Sequence, residues 1–307
     1  MYQLQTMNKI TGSTILCVLA FLFTKAQSSK VIDVHIHCYD SARFTYPAPD
    51  VAGCKSSKNA RLHFNNTYAA LRKAGVVKAV ISGSPSSVEE WIKKDTFHLF
   101  IRGLMIDNPD DFGMNPTRFE QMVKDRKVEV FGEIGTYYSG TTLSDSVWQP
   151  YLRICEKYDI PVAVHEGGGP PETPYHGSPK ARITLSDPFL IEDVLVKYPK
   201  LRIDMMHSGE VWYEHAVRMM LLYPQLYSDL GVMLWVSPLT QHYTIEFLKQ
   251  AKEAGCLNRV MFGTDQMVWA GATEKSLQFL NSLTFLSKQD KEDILYNNAA
   301  RFLRVNK

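Results

Sequence analysis

Val31-Ile-Asp-Val-His35-Ile-His37 is a short apolar run that ends in two histidines one residue apart. On a β-strand, residues i and i+2 share a face, so His35 and His37 project together from its C-terminal end. Two imidazoles placed this way have the geometry to chelate one divalent metal, although core or surface histidines alternate in the same way without binding anything. Seven further runs of strand character follow, at 76–81, 100–106, 128–135, 160–165, 201–207, 226–232 and 259–265. Helical stretches at 67–74, 116–126, 148–158, 188–197, 213–223 and 244–254, with helices from Glu274 and Lys288, follow seven of the eight.

Strand–helix alternation implies a parallel sheet. Eight such units close most naturally into a (β/α)8 TIM barrel, an α/β fold. The competing architecture is a doubly wound open sheet, which calls for a Gly-rich phosphate turn feeding a helix; Gly167-Gly-Gly169 is not followed at once by one.

Composition agrees with one large domain. The chain has 307 residues, of which 45% are hydrophobic, and a formal net charge of +2. Barrels of this class run to about 250 residues as one unit. Near-neutral charge gives no reason to expect nucleic acid or an anionic membrane as partner. Lys9, the apolar run 15–23 and the small residues Thr24 and Ala26 read as a signal peptide cleaved after Ala26. The run is too short for a comfortable membrane span, which needs about 20 apolar residues. The expected organisation is therefore a signal over 1–26 and a single domain over 27–307, exported to the periplasm or secreted. In an oxidising compartment Cys38 and Cys54 either bridge the loop after the first strand or stay as buried thiols.

A barrel carries its active site at the C-terminal ends of its strands. His35 and His37 end strand one, Glu133 lies near the end of strand four, and His165, His207 and Asp265 end strands five, six and eight. One such residue is usually a hydrogen-bonded core group. Six at one rim make a metal centre, and imidazole with carboxylate suits zinc, manganese, iron or nickel.

Taken together, His35-x-His37, His165, His207 and Gly263-Thr-Asp265 resemble the amidohydrolase superfamily of metal-dependent barrel hydrolases. The segment 293–303 resembles the closing helix of its amidohydrolase-related branch. The resemblance implies metal ligation by His35, His37, His165 and Asp265, with Asp265 doubling as general base. It makes His207 either a ligand of a second metal or a donor that polarises the substrate carbonyl. Glu133 then either bridges two metals or ligates none, so one or two ions are expected, zinc first and manganese second. The implied activity is hydrolysis of an ester, lactone or amide by metal-bound hydroxide. The partner expected under the resemblance is a small-molecule substrate, and a homo-oligomer is compatible. Non-oxidative decarboxylation of a small carboxylic acid on the same metal shell is the alternative. A binding protein without catalysis would lack a ligand or Asp265, and neither is missing.

Around this centre, Tyr137 is a candidate donor to a tetrahedral oxyanion and Gln266 a candidate pocket residue, while Trp269 either lines the pocket or packs against the barrel rim. The Pro- and Gly-rich loop 167–182 carries His176, Lys180 and Arg182, which either hold a substrate anion or are solvated. Asp229 either orients a ligand histidine or faces the helices. Glu166, pointing away from His165 on a strand, reads as a supporting carboxylate, and His215 as an ordinary helix residue.

Overall fold

The computed structural model describes residues 30–46 and 48–305, so the expected signal peptide over 1–26 lies outside the described residues. Eight strands form one parallel sheet in sequence order: β1 Val31–His37, β2 Val76–Ser82, β3 Phe100–Ile106, β4 Val130–Ile134, β5 Val162–Val164, β6 Ile203–Met205, β7 Leu226–Asp229 and β8 Val260–Met261. The two ends of the sheet meet. Val34 N–H donates to the Phe262 carbonyl at 3.0 Å and Asp265 N–H donates to the His35 carbonyl at 2.8 Å, which brings β8 against β1. The fold is the (β/α)8 barrel.

Side chains alternate across its wall, as the period of a strand dictates. Ile32, Val34, Val80, Val130, Ala163 and Met261 fill the interior together with Phe302. Ile81, Leu104, Phe131, Val162 and Ile203 belong to the larger core shared with the surrounding helices. Two irregularities interrupt the alternation where the chemistry sits. The β1–β2 register shifts between Asp33 and Ile36, so the inward set passes from Ile32 and Val34 to His35 and His37. On β4, Leu104 pairs with both Phe131 and Gly132, one residue before Glu133. Bulges of this kind re-aim side chains beside active sites.

The helices are α1 Ala60–Lys73, α2 Pro85–Lys94, α3 Pro116–Lys124, α4 Thr136–Ser139, α5 Gln149–Tyr158, α6 Glu192–Lys197, α7 Tyr213–Leu222, α8 Pro238–Glu253, α9 Ala272–Ser282, α10 Lys288–Glu292 and α11 Asn298–Leu303. The sequence reading omitted α2, the helix after β2. Its signal was present: Ser84 accepts from Ser87 N–H as N-cap and Pro85 opens the first turn. Helix α1 begins at Ala60 rather than Thr67 because Asn59 caps Leu62 N–H, and α8 begins at Pro238 because Ser237 and Thr240 form a capping box. Among the described residues no helix is long and apolar enough to cross a membrane.

Candidate metal centre

The rim gathers His35, His37, Glu133, His165, His207 and Asp265, all buried. Glu133 stands between two pairs of imidazoles. Its Oε2 lies 3.0 Å from His37 Nε2 and 3.4 Å from His35 Nε2; its Oε1 lies 2.6 Å from His165 Nδ1 and 3.7 Å from His207 Nε2. Asp265 Oδ1 approaches His37 Nε2 to 3.0 Å and His35 Nε2 to 3.6 Å. His165 Nδ1 and His207 Nε2 are 3.1 Å apart.

Neighbouring groups aim these ligands. Asp229 on β7 accepts from His35 Nδ1 at 2.8 Å through Oδ2, and through Oδ1 from the backbone N–H of His207 and of Gly231, both at 2.9 Å. One carboxylate thereby sets the ring of one ligand and the backbone of another, and it turns His35 Nε2 toward the cluster. His207 Nδ1 meets the Gly231 carbonyl at 3.1 Å, which leaves its Nε2 facing inward. Asp33 accepts from Thr264 N–H at 3.0 Å and Thr264 Oγ1 at 2.7 Å, tying the Gly263-Thr-Asp265 turn to β1. His63 Nε2 lies 3.1 Å from the His37 carbonyl. Close packing leaves no room for side chains nearby: a Cβ on Gly231 would sit 2.6 Å from His35 Nδ1, and one on Gly263 would sit 2.9 Å from His35 Cβ.

The backbone is strained at the same places. His207, Ser208 and Glu210 have φ of 59°, 52° and 46°, and Asp265 has φ of 44°. Left-handed conformations at non-glycine residues cost about 1–3 kcal/mol each and persist where the surroundings over-determine them. Here Ser208 Oγ donates to the Asp229 carbonyl and the Asp265 amide is held by His35.

A divalent cation fits this donor set. The approaches of His37 Nε2 to Glu133 and Asp265 are 3.0 Å long yet lack hydrogen-bond geometry, and Asp265 Oδ1 is buried without a hydrogen-bond partner. Buried polar atoms are normally paired with each other or with a ligand; these lone pairs converge on shared space instead. His35, His37 and Asp265, and likewise His35, Glu133 and His207, each offer atoms within 4.8 Å of one another. The electrostatics point the same way. Burial opposes charge on His37, but Asp265 and Glu133 together push it up to about 9. Burial likewise opposes charge on His35, yet Asp265 and Asp229 hold it well above the ordinary imidazole value. Burial also disfavours ionised Glu133, and the surrounding imidazoles, His165 and His207 foremost, hold it well below the usual carboxylate range. Burial, helped by His207, lowers His165. The carboxylates call for positive charge at the cluster, which a divalent cation supplies.

The remaining candidates divide. Tyr137 is buried, its ring stacked 5.5 Å from that of His165, and its hydroxyl accepts from Gly169 N–H at 3.2 Å. Gln266 is buried but donates to Thr67 Oγ1 on α1. Trp269 packs with Trp235, Val268 and Cys54 and donates to the Pro49 carbonyl at 2.9 Å. His176 is exposed and pairs with Glu172 at 2.8 Å, Arg182 donates to the carbonyls of Pro179 and Ala181, and Lys180 is exposed. The loop thus uses or solvates its own cations. Glu166 is buried with Oε2 unpartnered, and His215 pairs with Asp187. Cys38, Cys54, Cys155 and Cys256 are free buried thiols, so the bridge between Cys38 and Cys54 does not form. Sequence reading passed over Asp33, His63, Tyr39, Asp107 and Tyr138. Tyr39 stacks on His37 with ring centroids 5.3 Å apart, and Tyr138 lies 5.0 Å from His165. Burial and the charges of Glu133 and Asp111 push Asp107, at the end of β3, up to about 7.

Residues 32–305 match the family model described as amidohydrolase. No curated protein matches the chain. Among solved structures, an uncharacterized TIM-barrel protein from Bordetella bronchiseptica is similar at 21% identity and a TM-score of 0.67, over 90% of this chain and 98% of that one. A probable 2-pyrone-4,6-dicarboxylic acid hydrolase from Acinetobacter baumannii matches at 12% identity and a TM-score of 0.59, over 89% and 99%. A 5-carboxyvanillate decarboxylase from Novosphingobium aromaticivorans, with bound manganese, matches at 13% identity and a TM-score of 0.61, over 91% and 98%. At these identities the likeness speaks for the fold.

Proposed function

The chain belongs to the amidohydrolase family, and on that premise we propose that it is a metal-dependent hydrolase that cleaves an ester, lactone or amide of a small molecule. The observation that carries this reading is Glu133, whose two oxygens face two separate histidine pairs, with Asp265 Oδ1 buried without a hydrogen-bond partner beside His35 and His37. His35, His37 and Asp265 would hold one cation and His165 and His207 a second, with Glu133 shared; zinc is the first expectation and manganese the second. A divalent metal held there would polarise a carbonyl and lower the pKa of bound water to about 7.

The rest is done by this chain's own side chains. Asp229 fixes the ring of His35 and the backbone of His207, so neither ligand has to be ordered during turnover. The Asp265 carboxylate, with Oδ1 turned to His35 and His37, keeps its second oxygen to take the proton of the attacking water and return it to the leaving group. The rings of Tyr39 on His37, and of Tyr137 and Tyr138 on His165, wall the cluster from bulk solvent.

Decarboxylation is the second reading, because the same barrel carries both a hydrolase and a decarboxylase among its likenesses. We also read the chain as exported, from the sequence over 1–26; N-terminal sequencing of the mature protein tests that. The function is tested by assaying metal-loaded protein against lactones, esters and amides for acid release, and against aromatic carboxylates for CO2 release. Acid release abolished by chelator supports hydrolysis; chelator-sensitive CO2 release alone replaces it with the decarboxylase.

A further inference from the structure

At the C-terminal end of β3, one residue past Ile106, Asp107 occupies on its strand the place that the metal-facing residues occupy on theirs. Its turn is built without using its side chain. Asp107 N–H and Asn108 N–H both donate to Asp111 Oδ2, at 2.8 and 2.9 Å, and the Tyr151 hydroxyl takes the Pro109 carbonyl. The Asp107 carboxylate itself accepts no hydrogen bond and makes no ion pair among the described residues. Its Oδ1 lies against Gly135, two residues past Glu133, where a Cβ would overlap it; the same Cβ would meet Tyr138 Cδ2 at 2.8 Å. Asp107 and Tyr138 are therefore neighbours. The Tyr138 ring reaches His165 on one side and Gly169 on the other, where a Cβ would lie 3.0 Å from Cε1. Its hydroxyl also has no hydrogen-bond partner among the described residues.

The Asp107 carboxylate is half-buried and reached by solvent; held on a fixed turn within electrostatic reach of Glu133 and His37, its unused acceptors are open to a donor from outside the chain. Of the cations expected on the long loop, His176 pairs with Glu172 and Arg182 with its own loop, while the Lys180 stem packs on Gly140, two residues past Tyr138. We propose that Asp107 and the Tyr138 hydroxyl form the specificity-determining corner of the site, and that they receive a hydrogen-bond-donating group of the substrate, a hydroxyl or a protonated amine, rather than a carboxylate. A second carboxylate at this corner would face the Asp107 carboxylate, so the corner selects by repulsion as well as by attraction.

The inference rests on the metal reading above, and the test separates the two. Metal-loaded protein is titrated calorimetrically with acetohydroxamate, which anchors on a divalent metal. It is then titrated with two hydroxamates of matched length, β-alanine hydroxamate with an ammonium tail and succinate monohydroxamate with a carboxylate tail. The wild type is expected to prefer the ammonium tail by about tenfold or more, and Asp107→Asn to bring that ratio to within about threefold of unity. Tyr138→Phe, which removes one hydroxyl, is expected to lower the ratio by less and keeps the test open should the Asp107 variant fail to fold. If acetohydroxamate does not bind, the metal reading falls and the corner with it. If it binds but the tails are equivalent in the wild type, or the preference survives both substitutions, only the corner is overturned. A preference for the carboxylate tail also overturns it and points instead to Arg43, whose guanidinium lies 5.6 Å from the centre of the Tyr39 ring.

Discussion

His207 and His176 are both histidines carried to the same rim of one barrel, one by a strand end and the other by the long loop after β5. His207 is buried, held through its own amide by Asp229, and faces Glu133 and His165. His176 is exposed, and among the described residues its ring pairs with Glu172, four residues before it. The same holds for their companions: the strand-end set converges, whereas Arg182 stays with its loop and Lys180 is exposed. A strand end inherits its direction from a ladder of hydrogen bonds and a close-packed barrel. A loop side chain takes its direction from local partners, and these are satisfied within the loop.

If that contrast governs function, Asp265→Asn is expected to be the most damaging conservative change. It should lower turnover by about 10²-fold or more while protein remains folded, read by steady-state kinetics with metal content measured in parallel. Wild-type turnover with metal bound would remove Asp265 from proton transfer. Asp229→Asn comes next, since Asp229 is fully buried behind His35 and His207 and acts through them. Metal affinity should weaken by about 10- to 100-fold, measured by competition with a chelator, and unchanged affinity would reduce Asp229 to a packing role.

A pH effect of smaller size follows from His37, raised from 6.5 to about 9 by Asp265 and Glu133 against the pull of burial. Between those values the metal-free protein carries a proton that the metal must displace. Apparent metal affinity should therefore climb with pH through this window and level off above about 9, with proton release seen by calorimetry in buffers of different ionisation enthalpy. For the metal-free fold the sign is opposite: the stabilisation from protonated His37 is fully present below 6.5 and is lost as pH rises through about 9. An affinity flat across the window would contradict the assignment. The smallest effects belong to the loop. His176→Ala, Lys180→Ala and Arg182→Ala should each change turnover and KM by less than about threefold, as exposed substitutions without buried partners do. A large KM increase would restore the loop as an anion clamp.

The contrast also marks how far the sequence could be read. Eight apolar runs with helices between them suffice for the barrel, and the rule that strand ends carry chemistry finds His35, His37, Glu133, His165, His207 and Asp265 without alignment. The same rule points to Asp107, which follows the run 100–106 directly, and the reading did not apply it there. Other features leave no local mark. The register shifts in β1 and β4 arise from pairing between strands, and the left-handed backbone at His207 and Asp265 from contacts with Asp229 and β1. Asp229 itself is an acidic residue on a strand, and only the closed barrel decides that it faces His35. Trp269 has the right position after Asp265, but a second tryptophan and the Pro49 carbonyl claim it for packing.

The most direct test of the account is the metal content of the wild-type protein, purified without chelator and reloaded with zinc or manganese, beside that of Glu133→Gln. The account expects two equivalents per chain in the wild type and about one in the variant, because the shared carboxylate is what joins the two histidine pairs. One equivalent in both would reduce Glu133 to a hydrogen-bond acceptor and bring the decarboxylase reading level with hydrolysis. No metal in either, after reloading, would contradict the central claim that the strand-end cluster is a metal centre.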